Sequence, residues 1–387
     1  MRILVVGISV RAMVESAVRS GYPVIALDVF GDRDLRELTK SYSLHHDLRS
    51  VYSAGALYQA SKRISFDAVA YTSNLENHPE ILARFGEEHR IIGNSPQVVA
   101  AVRNWADLLD NLRNAGFLVP ETIFEAETRP VDTHCRWLRK PILSGGGHAA
   151  NFYSPETQYP FGNENGFCDP GFMLQQYIPG RPCSASFVAN GSGCTVVGIA
   201  EQLVGMQQFG AKNFLYSGNL LPIPETMDSG NVILNKVRRL AEFLTKEYGL
   251  VGLNGFDFIL KGDEIYFTEV NPRYTASMEI IEIAYELPIF QLHMQSILDG
   301  KLPEFDLEAE LNQGKYFGKS YLYAEKDVTM PDTEKWSAGE IHDIPLTGET
   351  IRRGSPVCTI LASGSTNEKT LSEMYLRARN LKEELYG

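Results

Sequence analysis

The stretch that most constrains this chain runs Gly255-Phe-Asp257-Phe-Ile-Leu-Lys-Gly-Asp-Glu-Ile-Tyr-Phe-Thr-Glu269-Val-Asn271-Pro-Arg273. Two aromatic and aliphatic runs flank the polar segment Lys261–Glu264, a pattern that predicts a β-hairpin. Glu269 and Asn271 are two apart on a strand, so both point to one face. Opposed residues of a hairpin share a constant index sum. An odd-length loop centred on Asp263 puts Asp257 opposite Glu269. A two-residue turn at Gly262-Asp263 would oppose Asp257 to Thr268 and send the two acids to opposite faces. The spacing is read here as the odd loop. Two carboxylates and an amide oxygen on one face make a hard-oxygen site suited to Mg²⁺ or Mn²⁺. Arg273 places a cation beside it, suited to charge on a transferring phosphoryl group. The competing reading is a solvated acidic face. It is weakened because Asp257 and Glu269 interrupt otherwise apolar strands.

A second feature is Arg139-Lys140-Pro-Ile-Leu-Ser-Gly145-Gly146-Gly147-His148. A lysine ends a strand and three glycines follow. Such a run lets backbone N–H groups close on phosphates, and Lys140 adds a point charge at the same place. By itself it also fits a flexible hairpin tip. His148 reads either as a surface histidine or as a phosphate contact. A third feature, Leu174-Gln-Gln176-Tyr177-Ile178-Pro-Gly180, is an apolar strand ending in Pro-Gly, the form of an edge whose backbone groups can read a base. Ser73-Asn-Leu-Glu76-Asn77-His-Pro follows a strand at its C-terminal end, where open α/β sheets bind ligands, or it is a polar helix cap. Glu201-Gln202-Leu-Val-Gly205 and Tyr216-Ser-Gly-Asn219 flank an aromatic and glycine-containing loop.

Residues 1–100 alternate short apolar runs with amphipathic stretches, the pattern of a parallel α/β sheet. Strands are expected at Arg2–Val6, Pro23–Asp28, Phe66–Tyr71 and Arg90–Ile92. The turn Gly7-Ile-Ser-Val-Arg-Ala12 lacks two of the three glycines of a dinucleotide fingerprint. Asp28 is therefore read as a strand-end acid on a nucleotide-free unit. A helix is expected from Ser95 through Asn114, glycine-studded antiparallel structure over 137–220, a long helix over 228–248, then Ser277–Leu287 and Pro288–Leu298, and a charged amphipathic helix over Thr370–Leu385.

The chain has 387 residues and a net charge of −12, which argues against a broad phosphate-backbone binder but not against a small anionic ligand. Cys135, Cys168, Cys183, Cys194 and Cys358 have no CxxC spacing, so reduced and mostly buried thiols are expected. No window is long and apolar enough for a membrane span, and no signal peptide is evident, so the chain reads as cytoplasmic.

Taken together, Lys140 with its glycine loop, the Gln-Tyr-Ile-Pro-Gly edge, and Asp257 paired with Glu269-Val-Asn271-Pro-Arg273 resemble the ATP-grasp superfamily. The nearest resemblance is to the predicted ATP-dependent carboligases related to biotin carboxylase. The resemblance implies a mixed α/β and α+β fold, divided as follows. Residues 1–100 would form a Rossmann-like pre-ATP-grasp domain, and 101–182 a linker helix and lid. Residues 183–315 would form the ATP-grasp core with the metal site, and 316–387 a biotin-carboxylase-like tail. It implies that Lys140 touches the α- and β-phosphates and that Gly145, Gly146 and Gly147 cover them. Gln176, Tyr177, Ile178 and Gly180 would form the adenine edge, with Tyr177 and Ile178 offering backbone groups. Asp257, Glu269 and Asn271 would hold Mg²⁺ or Mn²⁺, and Arg273 would face the phosphoryl group. Glu76, Asn77 and Asn219 are the candidate substrate contacts. The sequence departs from the family in three places. Arg103 stands in the neighbourhood of the usual second lysine, Gln176 replaces the edge acid, and no glutamate follows Gly180 to bind ribose. The segment Ile344–Cys358 looks like a strand–turn–strand unit, and with no lysine at its tip it is not a carrier domain.

The expected activity is ATP-dependent ligation of a small carboxylate to an amine through an acyl phosphate, on small-molecule partners, with a homodimer as the assembly the resemblance implies. Alternatives are an ATP-dependent carboxylase using bicarbonate and a nucleotide-binding sensor without turnover.

Overall fold

The apolar runs Ile3–Val6, Val24–Asp28 and Ala68–Tyr71 are strands buried throughout, because helices cover the sheet from either side, while Arg90–Ile92 at the sheet edge is buried only at Ile92. In the computed structural model, which describes residues 1–124, 134–154, 171–227, 232–336 and 339–387, five strands are parallel. Their order is Ser41–Ser43, Val24–Asp28, Ile3–Val6, Ala68–Tyr71, Arg90–Ile92. Ser41–Ser43 is the strand that sequence reading misses: three half-polar residues carry no apolar run. The order reverses beside Ile3–Val6, so the crevice at the C-terminal strand ends lies next to the turn after Tyr71. A Cβ on Gly7 would lie 2.0 Å from Thr72 Oγ1, so the missing side chain admits a neighbouring strand end. Asp28 is fully buried and accepts Gly31 N–H at 2.8 Å.

The stretch expected as one helix to Asn114 is two. Pro96–Arg103 and Trp105–Asn114 are separated by Asn104, whose ψ of 86° leaves helical geometry. The break turns Trp105 inward, where its Nε1–H donates to Ile142 O at 3.2 Å. Beyond it, Thr122–Phe124, Phe172–Gln176, Trp137–Pro141 and Asn151–Phe152 form, in that order, a small antiparallel sheet around Ile123, Trp137 and Leu174.

An eight-stranded antiparallel sheet carries the rest. Its order is Glu264–Asn271, Val251–Lys261, Arg181–Asn190, Cys194–Val204, Tyr216–Leu221, Tyr316–Tyr323, Pro356–Gly364, Ile341–His342. The helix Val232–Tyr248 buries Leu234, Val237, Leu240, Ala241 and Leu244, the stripe its sequence period predicts, except that Val232 at its start is exposed; the first residues of that expected helix lie outside the described residues. The helices Ser277–Tyr285 and Ile289–Leu298 follow the hairpin, and Asn367–Tyr386 packs on the C-terminal strands. Residues 344–358 are not a strand–turn–strand hairpin: Thr350–Ile351 pairs with Val328–Thr329, whereas Pro356–Gly364 joins the large sheet.

Arg11, fully buried, binds the first sheet to the tail. Its Nε and Nη2 donate to the two carboxylate oxygens of Asp343 at 3.0 and 3.1 Å, and Nη1 reaches Glu15 and Glu279. Cys183, Cys194 and Cys358 are free thiols, and Cys168 lies outside the described residues. No helix of the described residues is long and apolar enough to cross a membrane.

Candidate functional site

The expected odd loop in the hairpin is wrong, and the expected pairing is right. Lys261 pairs with Glu264, leaving the two-residue turn Gly262-Asp263, with Gly262 at φ +59°. Glycine tolerates that left-handed backbone, so local turn chemistry selects the tight turn. A β-bulge then shifts the register by one residue: Phe258 pairs with Phe267, but Asp257 pairs with Glu269. Thr268 is the extra residue. The bulge returns both acids to one face. Asn271, opposite Gly255, shares that face, as does Ser184, directly across the next strand from Asp257.

Six side chains close into a ring at this face. Asn271 Nδ2 donates to Asp257 Oδ2 at 3.3 Å, and Asn271 Oδ1 accepts Arg273 Nη2–H at 3.1 Å. Arg273 Nε–H donates to Glu76 Oε1 at 2.7 Å. Arg103 Nη2 stands 3.5 Å from that oxygen, and Arg103 Nη1–H donates to Glu269 Oε1 at 2.9 Å. Glu269, facing Asp257, completes the circuit. Glu76 lies in the turn after Tyr71, at the C-terminal end of the parallel sheet. The ring therefore joins the parallel sheet to the eight-stranded sheet. Tyr71 and Asn94 hold the Pro272 carbonyl from below, at 3.3 and 3.0 Å, and keep Arg273 in place.

Burial, followed by the charge of Glu269, pushes the Asp257 carboxyl up to about 7, against the opposing pull of Arg273, Gln202 and Asn271. Gln202 Nε2–H donates to Asp257 Oδ1 at 3.0 Å. A pair of facing acids held this reluctantly in the charged form is what a divalent cation relieves. Three hard oxygen donors on one face, with the buried Ser184 hydroxyl lacking a protein partner beside them, fit such an ion.

Lys140 comes to the same place from the small sheet. Its Nζ donates to Gln175 Oε1 at 3.0 Å; burial lowers its pKa, while Glu269 and Asp257 raise it. The glycine loop is seated against the segment after Gly205: Tyr216 N–H donates to Gly146 O at 2.9 Å. Gly147, at φ +73°, has Phe214 O only 1.8 Å from where a Cβ would stand. His148 is exposed at the tip. Gln176 Nε2 donates to Cys135 Sγ at 3.4 Å. Tyr177 directs its N–H to Arg136 O at 2.8 Å, so of the backbone groups expected at this edge its carbonyl is the one it can offer. Gly180 packs where a Cβ would lie 2.5 Å from Leu260 O.

Of the three substrate candidates, Glu76 is a member of the ring, Asn77 is the next residue in its turn, and Asn219 makes its contacts elsewhere. Glu76 Oε2 and both amide atoms of Asn77 are buried without a hydrogen-bond partner. Asn219 accepts from the Tyr216 hydroxyl and donates to Glu201 O at 3.2 Å, which uses its amide. The sequence gives no definite role to Arg103, Gln202, Gln175 or Ser184. Arg103 carried a signal as the basic residue in the neighbourhood of the usual lysine, and Gln202 lies in a segment beside an aromatic and glycine-containing loop; Gln175 and Ser184 are drawn in by strand packing.

Residues 102–277 match the family described as ATP-grasp domain. An uncharacterized protein of Methanocaldococcus jannaschii is 24% identical over 374 residues, spanning 94% of this chain and 88% of that one. The arginine-specific large chain of carbamoyl phosphate synthase from Lactiplantibacillus plantarum is 24% identical over 135 residues, 35% of this chain but only 12% of that much longer one. Among solved structures, the biotin carboxylase domain dimer of Hydrogenobacter thermophilus 2-oxoglutarate carboxylase, in complex with MgADP, ADP and bicarbonate, superposes with a TM-score of 0.74. It is 14% identical, over 96% of this chain and 88% of that one, a likeness of fold. Residues 102–277 are thus an ATP-grasp domain, in a chain that folds as biotin carboxylase does.

Proposed function

We propose that this protein is an ATP-grasp ligase that phosphorylates a small-molecule carboxylate with Mg-ATP and couples the acyl phosphate to an amine. The observation that carries the reading is the ring: acids, amide and arginine of the hairpin meet Glu76, from the turn at the C-terminal end of the parallel sheet, so groups read as nucleotide-side and substrate-side lie in one circuit.

In this reading Lys140 binds the α- and β-phosphates, Gly145–Gly147 cover them, and the Tyr177 carbonyl with Ile178 edges the adenine. Asp257, Glu269 and Asn271 hold Mg²⁺, which when bound supplies positive charge to the phosphate oxygens. Arg273, braced by Glu76, meets the phosphoryl group as it transfers. The substrate carboxylate oxygen attacks the γ-phosphorus, the bond to the β-phosphate oxygen breaks, and ADP leaves. The amine nitrogen then attacks the acyl carbon, the acyl–oxygen bond breaks, and phosphate departs while the amine loses a proton. The buried Asn77 amide and Glu76 Oε2, both short of partners, are the groups that would orient the substrate. The reading includes the division into 1–100, 101–182, 183–315 and 316–387, a cytoplasmic location, and a homodimer by likeness to the H. thermophilus domain dimer.

A second reading, an ATP-dependent carboxylase, draws on the bicarbonate in the complex of that fold relative. The test is ADP release from Mg-ATP with pooled carboxylates, amines and bicarbonate, using ¹⁸O-labelled carboxylates. Amine-dependent release with ¹⁸O passing into inorganic phosphate is the expected result. Bicarbonate-stimulated release without an amine would replace the ligase by the carboxylase. Nucleotide binding with no release under any pool would replace both by a sensor.

A further inference from the structure

A second cluster of ligand-type side chains lies apart from the ring, between the parallel sheet and the tail. The turn after Ser41–Ser43 carries His45 and His46, and the tail brings Glu349 against them. One nitrogen of each histidine and one Glu349 oxygen all lie within 4.8 Å of one another. We propose that His45, His46 and Glu349 bind a divalent transition-metal ion of the Zn²⁺ class, with water completing the shell, and so clasp the first sheet to the tail.

Three observations carry this. His46 Nε2 is buried and lacks a hydrogen-bond partner, although Glu349 Oε1 stands only 3.2 Å away. A simple ion pair would aim the N–H at that oxygen; here nitrogen and oxygen stand side by side. Their separation is also that of two ligands on one tetrahedral ion, about 3.3 Å for metal–ligand bonds of about 2.0 Å. The groups behind the ligands are already fixed. Glu349 Oε2 accepts Leu346 N–H at 3.2 Å, which leaves Oε1 for the cluster. His45 N–H donates to Val29 O at 3.1 Å, and His46 N–H to Ser43 Oγ at 3.0 Å, which hold the turn. His45 is exposed, so its ring is free to rotate the last distance. Two imidazoles and a carboxylate select zinc-like ions, whereas the all-oxygen set at Asp257 suits Mg²⁺.

The test uses the full-length protein stripped with a chelator. Co²⁺ is titrated in while its visible absorption is read, and Zn²⁺ is then added as competitor. One equivalent of Zn²⁺ should displace Co²⁺ in the wild type and equally in Glu269→Gln. Affinity should fall by at least about tenfold in His46→Ala and in Glu349→Gln. Glu349→Gln keeps the side-chain shape and the contact to Leu346, so it distinguishes lost ligation from lost folding, with circular dichroism as the check. Wild-type affinity no tighter than that of folded Glu349→Gln, or a signal that disappears in Glu269→Gln instead, would overturn the proposal.

Discussion

Arg103 Nη1 lies 2.9 Å from Glu269 Oε1, across 166 residues of chain. It gives the outer acid of the hairpin a fixed cation, and it leaves Asp257, the inner acid, as the less compensated of the two. The same guanidinium approaches Glu76, so the hairpin and the crevice of the parallel sheet share one charge circuit.

If this circuit is structural as well as functional, Arg103→Ala leaves Glu76, which is fully buried, with Arg273 as its one remaining cation in the ring. Breaking a buried pair by removing one partner costs about 3–5 kcal/mol. Urea denaturation should show a loss of that order. Arg103→Lys should recover only part of it, because a single ammonium cannot span two carboxylates as a guanidinium fork does.

Glu269→Ala should lower Mg-dependent ATP turnover by about 100-fold or more, the scale of losing one preorganised electrostatic group. Far-ultraviolet circular dichroism should stay unchanged, since Glu269 is a strand residue with a partly exposed side chain. Turnover within a few-fold of wild type would remove Glu269 from the metal-binding set.

Lys140→Met should weaken ATP and ADP binding by about 10–100-fold, the worth of a charge-assisted hydrogen bond. Binding of AMP should fall less. Calorimetric titration of the three nucleotides reads this directly, and an equal loss for all three would contradict a role at the phosphate tail.

Gly147→Ala sets a Cβ against Phe214 O in a left-handed backbone, a conformation that costs L-residues about 1–2 kcal/mol before any clash. The loop must leave its seat. Thermal unfolding should change little, because the loop lies outside the core, while KM for ATP should rise.

Glu282 gives the pH dependence of stability a defined sign. Burial, opposed by the Ser16 hydrogen bond and Arg19, pushes its carboxyl up to about 7 from 4.5. A carboxyl raised on folding favours the folded state below its unfolded value, and that contribution is lost as pH rises towards about 7. Glu282→Gln mimics the protonated form. Relative to wild type it should gain stability between pH 5 and pH 8, by about 3 kcal/mol at most. A variant with a parallel pH profile would refute the assignment.

The strands and helices were largely legible because their signals are local. Apolar runs such as Ile3–Val6 and the stripe of Val232–Tyr248 declare burial by period alone. Ser41–Ser43 was invisible because a short strand owes its state to its neighbour, Val24–Asp28. The break at Asn104 was invisible because no glycine or proline marks it; packing of Trp105 makes it.

By itself the sequence determined that two acids and an amide would flank a hairpin, that a lysine and a glycine loop would precede them, and which segments would be buried. These follow from residue type and from periods of two and 3.6, which act over a few positions. Only the tertiary structure decided that the acids meet. The Gly262 turn alone would have set them on opposite faces, and the bulge at Thr268 restores their side. It also decided that Glu76, 197 residues from Arg273, closes the circuit. Such a contact depends on how two sheets pack, and no local period encodes a distance between them.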